Sequence, residues 1–252
     1  MVPVTPPPAA PPAAAPAAPS RNLTYRLLDT IGRDIVTGVY ETTSFPTEAQ
    51  LAQTHGVSRS VTREAVKMLT AKGLLSARPR QGTVVRPAET WNLFDPDVLR
   101  WLLERTFSVD LLRQFSQLRI AIEPEAAALA ARFGDTRDLH RIDAGLARMI
   151  AADQAADDPL DADIAFHIAI LQASRNPFYG QFREVVATAL RTSIRFTNRI
   201  KGRTASIADH AAVRDAIVAR DADAARAAMQ HLIGDVLALI EQGDGDDTAP
   251  TA

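Results

Sequence analysis

Residues 45–85 read FPTEAQLAQTHGVSRSVTREAVKMLTAKGLLSARPRQGTVV, and this stretch decides the fold. Pro46-Thr47-Glu48 opens a helix with Thr47 as its N-cap, because a hydroxyl there accepts from an otherwise unpaired backbone N–H. Gly56 ends that helix. Ser58 caps the next one, whose apolar positions Val61, Ala65, Val66 and Leu69 recur at helical spacing until Gly73 stops it. Residues 74–77 and 83–85 are short β-type runs around Pro79-Arg80-Gln81-Gly82, a hairpin signal. Upstream, residues 23–39 place apolar side chains at 27, 28, 31, 35 and 36, again helical spacing. Helix, short helix, tight turn, helix, β-wing is the order of a winged helix-turn-helix.

Such a unit reads DNA with the first turn of its second helix-turn-helix helix. Arg59, Ser60 and Arg63 stand there, with the two arginines four residues apart on one face. The wing adds Arg78, Arg80 and Gly82, and a glycine at the tip lets backbone approach a minor groove with arginine beside it. An exposed arginine pair alone is more often simply solvated. The ordered set of turn, pair and basic wing is what favours DNA.

Working outward, the whole chain of 252 residues carries a formal charge of −2, which argues against a nucleic-acid partner until it is divided. Residues 21–90 hold ten basic against six acidic side chains, +4, and residues 91–252 hold eighteen against twenty-four, −6. A basic module followed by an acidic one is expected when one part touches DNA and the other does something else. The chain has no cysteine, which excludes disulfides, thiol nucleophiles and thiolate-held metals. No apolar run reaches the roughly 20 residues of a membrane helix, and no signal-peptide pattern is read at the amino terminus. The expected location is the cytoplasm, with no membrane partner.

Residues 1–20 are Pro/Ala-rich and uncharged and are expected to be a disordered tail, as are residues 242–252. The expected units are a DNA-binding domain over 21–87, a linker over 88–107 and an all-helical domain over 108–241. Helices are expected near 95–105, 108–133, 135–152, 160–174, 178–199, 206–219 and 221–241. The fold class is therefore mainly α, a winged helix-turn-helix followed by an all-α bundle.

The helical half carries four of the five histidines. Asp163 and His167, four apart on a helix, present a carboxylate and an imidazole on one face. His210 and His231 lie on two helices joined by a short connection, which should pack antiparallel and bring both rings into the bundle. Three histidines and one aspartate make a set that suits zinc first, with nickel, cobalt or manganese as alternatives, and leaves coordination positions open. A single helical histidine is more often a packed or surface residue than a ligand.

These residues resemble known families. From Phe45-Pro46-Thr47-Glu48 through Gly56-Val57-Ser58-Arg59 and Arg63-Glu64-Ala65 to Gly82-Thr83-Val84-Val85, the chain resembles the DNA-binding domain of GntR-type bacterial repressors. It departs from the usual pattern between the arginines, where Ser60-Val61-Thr62 replaces Thr-Pro-Val. Arg119-x3-Glu123, Asp163-x2-Phe166-His167, Asn176-Pro177, His210 and His231 are similar to the effector domain of the FadR-type subgroup. The resemblance implies a divalent metal held by Asp163, His167, His210 and His231, and a small carboxylate effector such as a sugar acid. Arg119 then becomes the candidate carboxylate clamp, against the plainer reading of an i, i+4 pair with Glu123. Asn176, Arg191 and Arg195 are further candidates for the same pocket. The reading is a repressor, acting as a homodimer on double-stranded operator DNA, and not an enzyme. Two alternatives stay open: a metal-dependent enzyme acting on a small hydroxy acid, and a helical domain that only dimerises.

Overall fold

The computed structural model describes residues 19–78, 82–105, 109–191 and 206–246. Its elements are α1 (Pro19–Val36), α2 (Glu48–His55), α3 (Arg59–Ala71), β1 (Leu75–Arg78), β2 (Gly82–Val85), a 3-10 turn (Ala88–Thr90), α4 (Pro96–Arg105), α5 (Val109–Phe133), α6 (Thr136–Asp153), α7 (Pro159–Ala173), α8 (Pro177–Gln181), α9 (described over 183–191), α10 (Ile207–Val218) and α11 (Ala222–Asp246).

In the N-terminal unit, α1 buries Leu27, Leu28, Ile31 and Ile35 against α3. Thr47 begins α2 with a reciprocal cap: its Oγ1 accepts from Gln50 N at 3.3 Å and its own N donates to Gln50 Oε1 at 2.9 Å. Gly56 closes α2 at φ 63°, a left-handed conformation that costs glycine nothing and most residues a clash. Ser58 then caps α3, accepting from Val61 N at 3.3 Å. β1 and β2 pair antiparallel, with Leu75 opposite Val85 and Arg78 opposite Gly82.

Three expected boundaries move. The first helix starts at Pro19, inside the stretch read as tail, since proline is tolerated where the helix's first N–H has no partner anyway. It stops at Val36, and Gly38 at φ 86° turns the chain away. The last helix runs on to Asp246, so the carboxy-terminal tail begins later than residue 242. The single helix expected over 178–199 is interrupted after α8, and its part from 192 lies outside the described residues.

The segment expected to be a linker is itself core. Within α4, Val98 and Trp101 pack with the N-terminal cluster, whereas Leu99 and Leu103 belong to the C-terminal one. Trp101 is wholly buried against α1 because Gly32 has no side chain: a Cβ there would come within 2.2 Å of the indole ring. Its Nε1 donates to Asp29 at 2.8 Å. Lys72, at the end of α3, donates to Asp95 and Asp97 at 2.8 Å, tying α3 to the start of α4.

In the bundle, α5 packs along α11, α6 against α7, and α10 against both α11 and α6. The buried alanines 126, 127, 130 and 131 of α5 let neighbouring helices approach closely. Nine of the twelve residues from Ala162 to Ala173 on α7 are buried, so it is the central helix, and Asp163 and His167 stand out as polar groups inside a core. Among the described residues no helix is long and apolar enough to cross a membrane.

Candidate nucleic-acid interface and metal centre

The helix α3 has two faces. Thr62, Ala65, Val66 and Leu69 are buried, while Arg59, Ser60 and Arg63 point outward. Among the described residues Arg59 pairs with no carboxylate. Arg63 meets Glu48 of α2 at 3.4 Å, with the arginine side chain 63% exposed. Ser60 Oγ lies 2.9 Å from Ser58 Oγ at the helix start. Lys67 continues the row one turn further and is exposed. The spacing 59, 63, 67 was the signal that could have placed it beside the two arginines. Gly82 is exposed at the start of β2 with φ 80° and open space around it. Arg80 lies outside the described residues. The result is an uncovered basic edge at a helix N-terminus, a favourable place for phosphate.

The second site is its opposite, a set of charged side chains sealed inside the bundle. Arg119 and Glu123 come from α5, Asp163 and His167 from α7, and His210 from α10; none is more than 4% exposed. Oxygen and nitrogen atoms of Asp163, His167 and His210 lie within 4.8 Å of one another, close enough to hold one ion. Glu123 takes Arg119 Nε on one oxygen and His167 Nδ1 on the other, both at 2.5 Å. Burial alone would raise the Glu123 carboxyl, but Arg119 and His167 outweigh it and hold it at about 2. Asp163 is likewise lowered, burial being outweighed by His210, His167 and Arg119.

Ionised Glu123 can only accept, so His167 Nδ1 carries the proton in that contact and, in the neutral ring, Nε2 presents a lone pair. His210 repeats the logic with backbone, Nδ1 donating to Ser206 O at 2.7 Å. Its Nε2 is then a buried atom without a hydrogen bond, only 2.9 Å from Asp163 Oδ1. With a neutral His210 ring these are two acceptors facing each other in a buried site, an arrangement that a cation between them satisfies. That orphaned nitrogen and the N2O donor set fit a divalent ion.

His231 is not part of this cluster. Residues Ala225, Met229, Leu232, Ile233 and Ile240 form the inward stripe of α11, and His231 falls outside that stripe. Its side chain is 64% exposed and meets Asp235 at 3.4 Å. Two effector candidates are also engaged elsewhere. Asn176 caps α8, its Oδ1 accepting from Phe178 N at 3.0 Å. Arg191 is exposed and pairs with Asp161 at 3.1 Å. Arg195 lies outside the described residues. Glu123, read from sequence only as a partner of Arg119, is the group that joins that arginine to the histidine. Its place on the inward face of α5 is signalled by Leu112, Ser116, Arg119, Glu123 and Ala126, spaced three or four apart.

Residues 23–85 match the profile of the bacterial regulatory proteins of the gntR family, and residues 114–235 match that of the FCD domain. An uncharacterized HTH-type transcriptional regulator of Escherichia coli, YieP, is 35% identical over 219 residues, covering 86% of this chain and 94% of its own. The galactonate operon transcriptional repressor of E. coli is 35% identical over 217 residues, covering 84% and 94%. A putative L-lactate dehydrogenase operon regulatory protein of E. coli is 31% identical, covering 80% and 79%. Among solved structures, Lar, which controls the Listeria monocytogenes agr system, aligns over 90% of this chain and 99% of its own with a TM-score of 0.58 at 18% identity. E. coli McbR/YncC aligns over 88% and 98% with a TM-score of 0.51, also at 18% identity. These two likenesses concern the fold.

Proposed function

Since the chain belongs to the GntR family, as a DNA-binding transcriptional regulator with a C-terminal FCD domain, we propose that its operator affinity is set by a small hydroxy-carboxylate bound at a divalent metal inside the helical domain. The relatives are regulators, which sets the enzyme reading aside. The observation that carries the proposal is the unpaired His210 Nε2 facing Asp163 beside His167.

Charge supports it. With neutral imidazoles, Arg119, Glu123 and Asp163 sum to −1 in a sealed core. Bound there, a divalent ion would be held by Asp163, His167 and His210 and would supply positive charge and open positions for ligand oxygens. The sum becomes +1, which one carboxylate neutralises. Arg119 is the residue that would fork onto that carboxylate, its guanidinium already lying 3.4 Å from the His167 ring nitrogens. Two relatives are named for galactonate and for L-lactate dehydrogenase operons, and galactonate and lactate are both 2-hydroxy acids. Zinc is the first choice of ion on donor type.

On the DNA side, Arg59 and Arg63 enter a major groove, with Ser60 beside them and Gly82 and Arg80 at the minor groove. Two copies related by two-fold symmetry would match a pseudo-palindromic operator in the cytoplasm. A ligand shifts DNA binding only by its differential affinity for two arrangements, about 1–3 kcal/mol or roughly 5- to 150-fold.

The test is a thermal-shift and operator gel-shift series with aldonic acids and lactate, on zinc-loaded and chelated protein. A zinc-dependent shift in melting, with a matching change in operator affinity, is expected. Responses identical with and without metal, or no response to any hydroxy-carboxylate, overturn the proposal.

A further inference from the structure

A histidine ligand must be held in the right tautomer and at the right angle before it can present a lone pair. In this site the two rings are held by different means. His210 is fixed by its own helix, through the carbonyl of Ser206, which also caps α10 with its side chain. Among the described residues His167 has no such backbone partner, and its Nδ1 rests on Glu123, a side chain from another helix.

We propose that Glu123 is a positioning residue that orients His167 and Arg119 together, so that the ring turns Nε2 toward Asp163 and His210 and the arginine is kept off Asp163. The inference rests on the metal reading above. Glu123 is suited to the first task because its Oε1 takes Arg119 Nε while its Oε2 takes His167 Nδ1, with Arg119 Nη2 at 3.4 Å from that second oxygen, so one carboxylate holds both side chains. His167 Nε2 then lies 3.8 Å from Asp163 Oδ1, on the side where His210 Nε2 also approaches. The second task follows from burial. Arg119 is 4% exposed and must keep a carboxylate, and the other buried carboxylate of this cluster is Asp163. Without Glu123 the arginine would compete for the oxygen that an ion needs.

The experiment measures zinc affinity by titration against a chromophoric chelator, and reads imidazole tautomers from ¹⁵N shifts of the metal-free protein. For wild type, His167 and His210 should both show a protonated Nδ1 and a bare Nε2. For Glu123→Gln, which keeps the shape and loses the charge, zinc affinity should fall about 10- to 100-fold. His167 should then populate the other tautomer while His210 stays as it was. A purely structural role for Glu123 would move stability without this change at one ring. A wild-type His167 protonated on Nε2 overturns the proposal without any variant, so failure of Glu123→Gln to fold does not protect it. Wild type that binds zinc, with Glu123→Gln binding equally tightly, overturns the proposal alone. Wild type that takes up no zinc overturns the metal reading and this inference with it.

Discussion

Arginine and glutamate meet at two places that serve opposite ends. On the outer face of the N-terminal unit, Arg63 and Glu48 sit 3.4 Å apart on exposed faces of α3 and α2. In the bundle, Arg119 and Glu123 sit 2.5 Å apart with neither more than 4% exposed. Water competes with the first pair and screens it, so it holds little and releases its arginine to a phosphate at small cost. The second pair has no water to fall back on, and its members are stable only because Arg119, Glu123 and His167 satisfy one another. The same two residue types thus make a loose contact where water reaches them and a fixed one where it does not.

The largest effect that can break this comparison is on stability. Arg119→Met should cost about 3–5 kcal/mol in urea unfolding, because it strands the Glu123 carboxylate in the core. Arg63→Met should stay within about 0.5 kcal/mol. Similar costs for both would show that the bundle is wetter than its burial implies. Acid should separate the pairs next. The Glu123 carboxyl lies at about 2 in the folded protein against an ordinary 4.5. Its contribution is therefore complete above 4.5 and is lost as the pH falls from there toward 2. Arg119→Met should lose the part of that acid dependence that Arg119 rather than His167 supplies, measured by unfolding at stepped pH, and Arg63→Met should keep it whole.

On DNA the ranking reverses. Arg63→Ala should weaken operator binding and lower the salt slope by about one unit, read from gel shifts over a salt series. An unchanged slope removes Arg63 from the interface. The smallest expected effect is at His231, where replacement by alanine should leave zinc uptake as it is, while His210→Ala should reduce it. Equal losses at both positions would put His231 back among the ligands.

Much of this was legible in residues. Caps at Thr47 and Ser58, glycine at 56 and the apolar spacing of α3 all agree on one local structure, so α2 and α3 could be read almost to their boundaries. Asp163 and His167 share a face by i, i+4 spacing whatever the rest of the fold does. His231 was misplaced because its face depends on which stripe of α11 turns inward, and an alanine-rich helix shows that stripe weakly. Glu123 was undervalued because an i, i+4 pair looks the same on a surface and in a core, and burial is set by helices far off in sequence. The helix over 95–105 was legible from its spacing, but the sharing of its burial between two cores was not, since that is set by helices far off in sequence.

That helix has a thermodynamic consequence. Val98 and Trp101 are buried in one core and Leu99 and Leu103 in the other, on a segment of ten residues. Melting either core would strip α4 of half its burial and weaken its hold on the second. The DNA-reading unit and the helical bundle are thus expected to absorb heat in one merged transition, because neither can lose its order while α4 keeps its own.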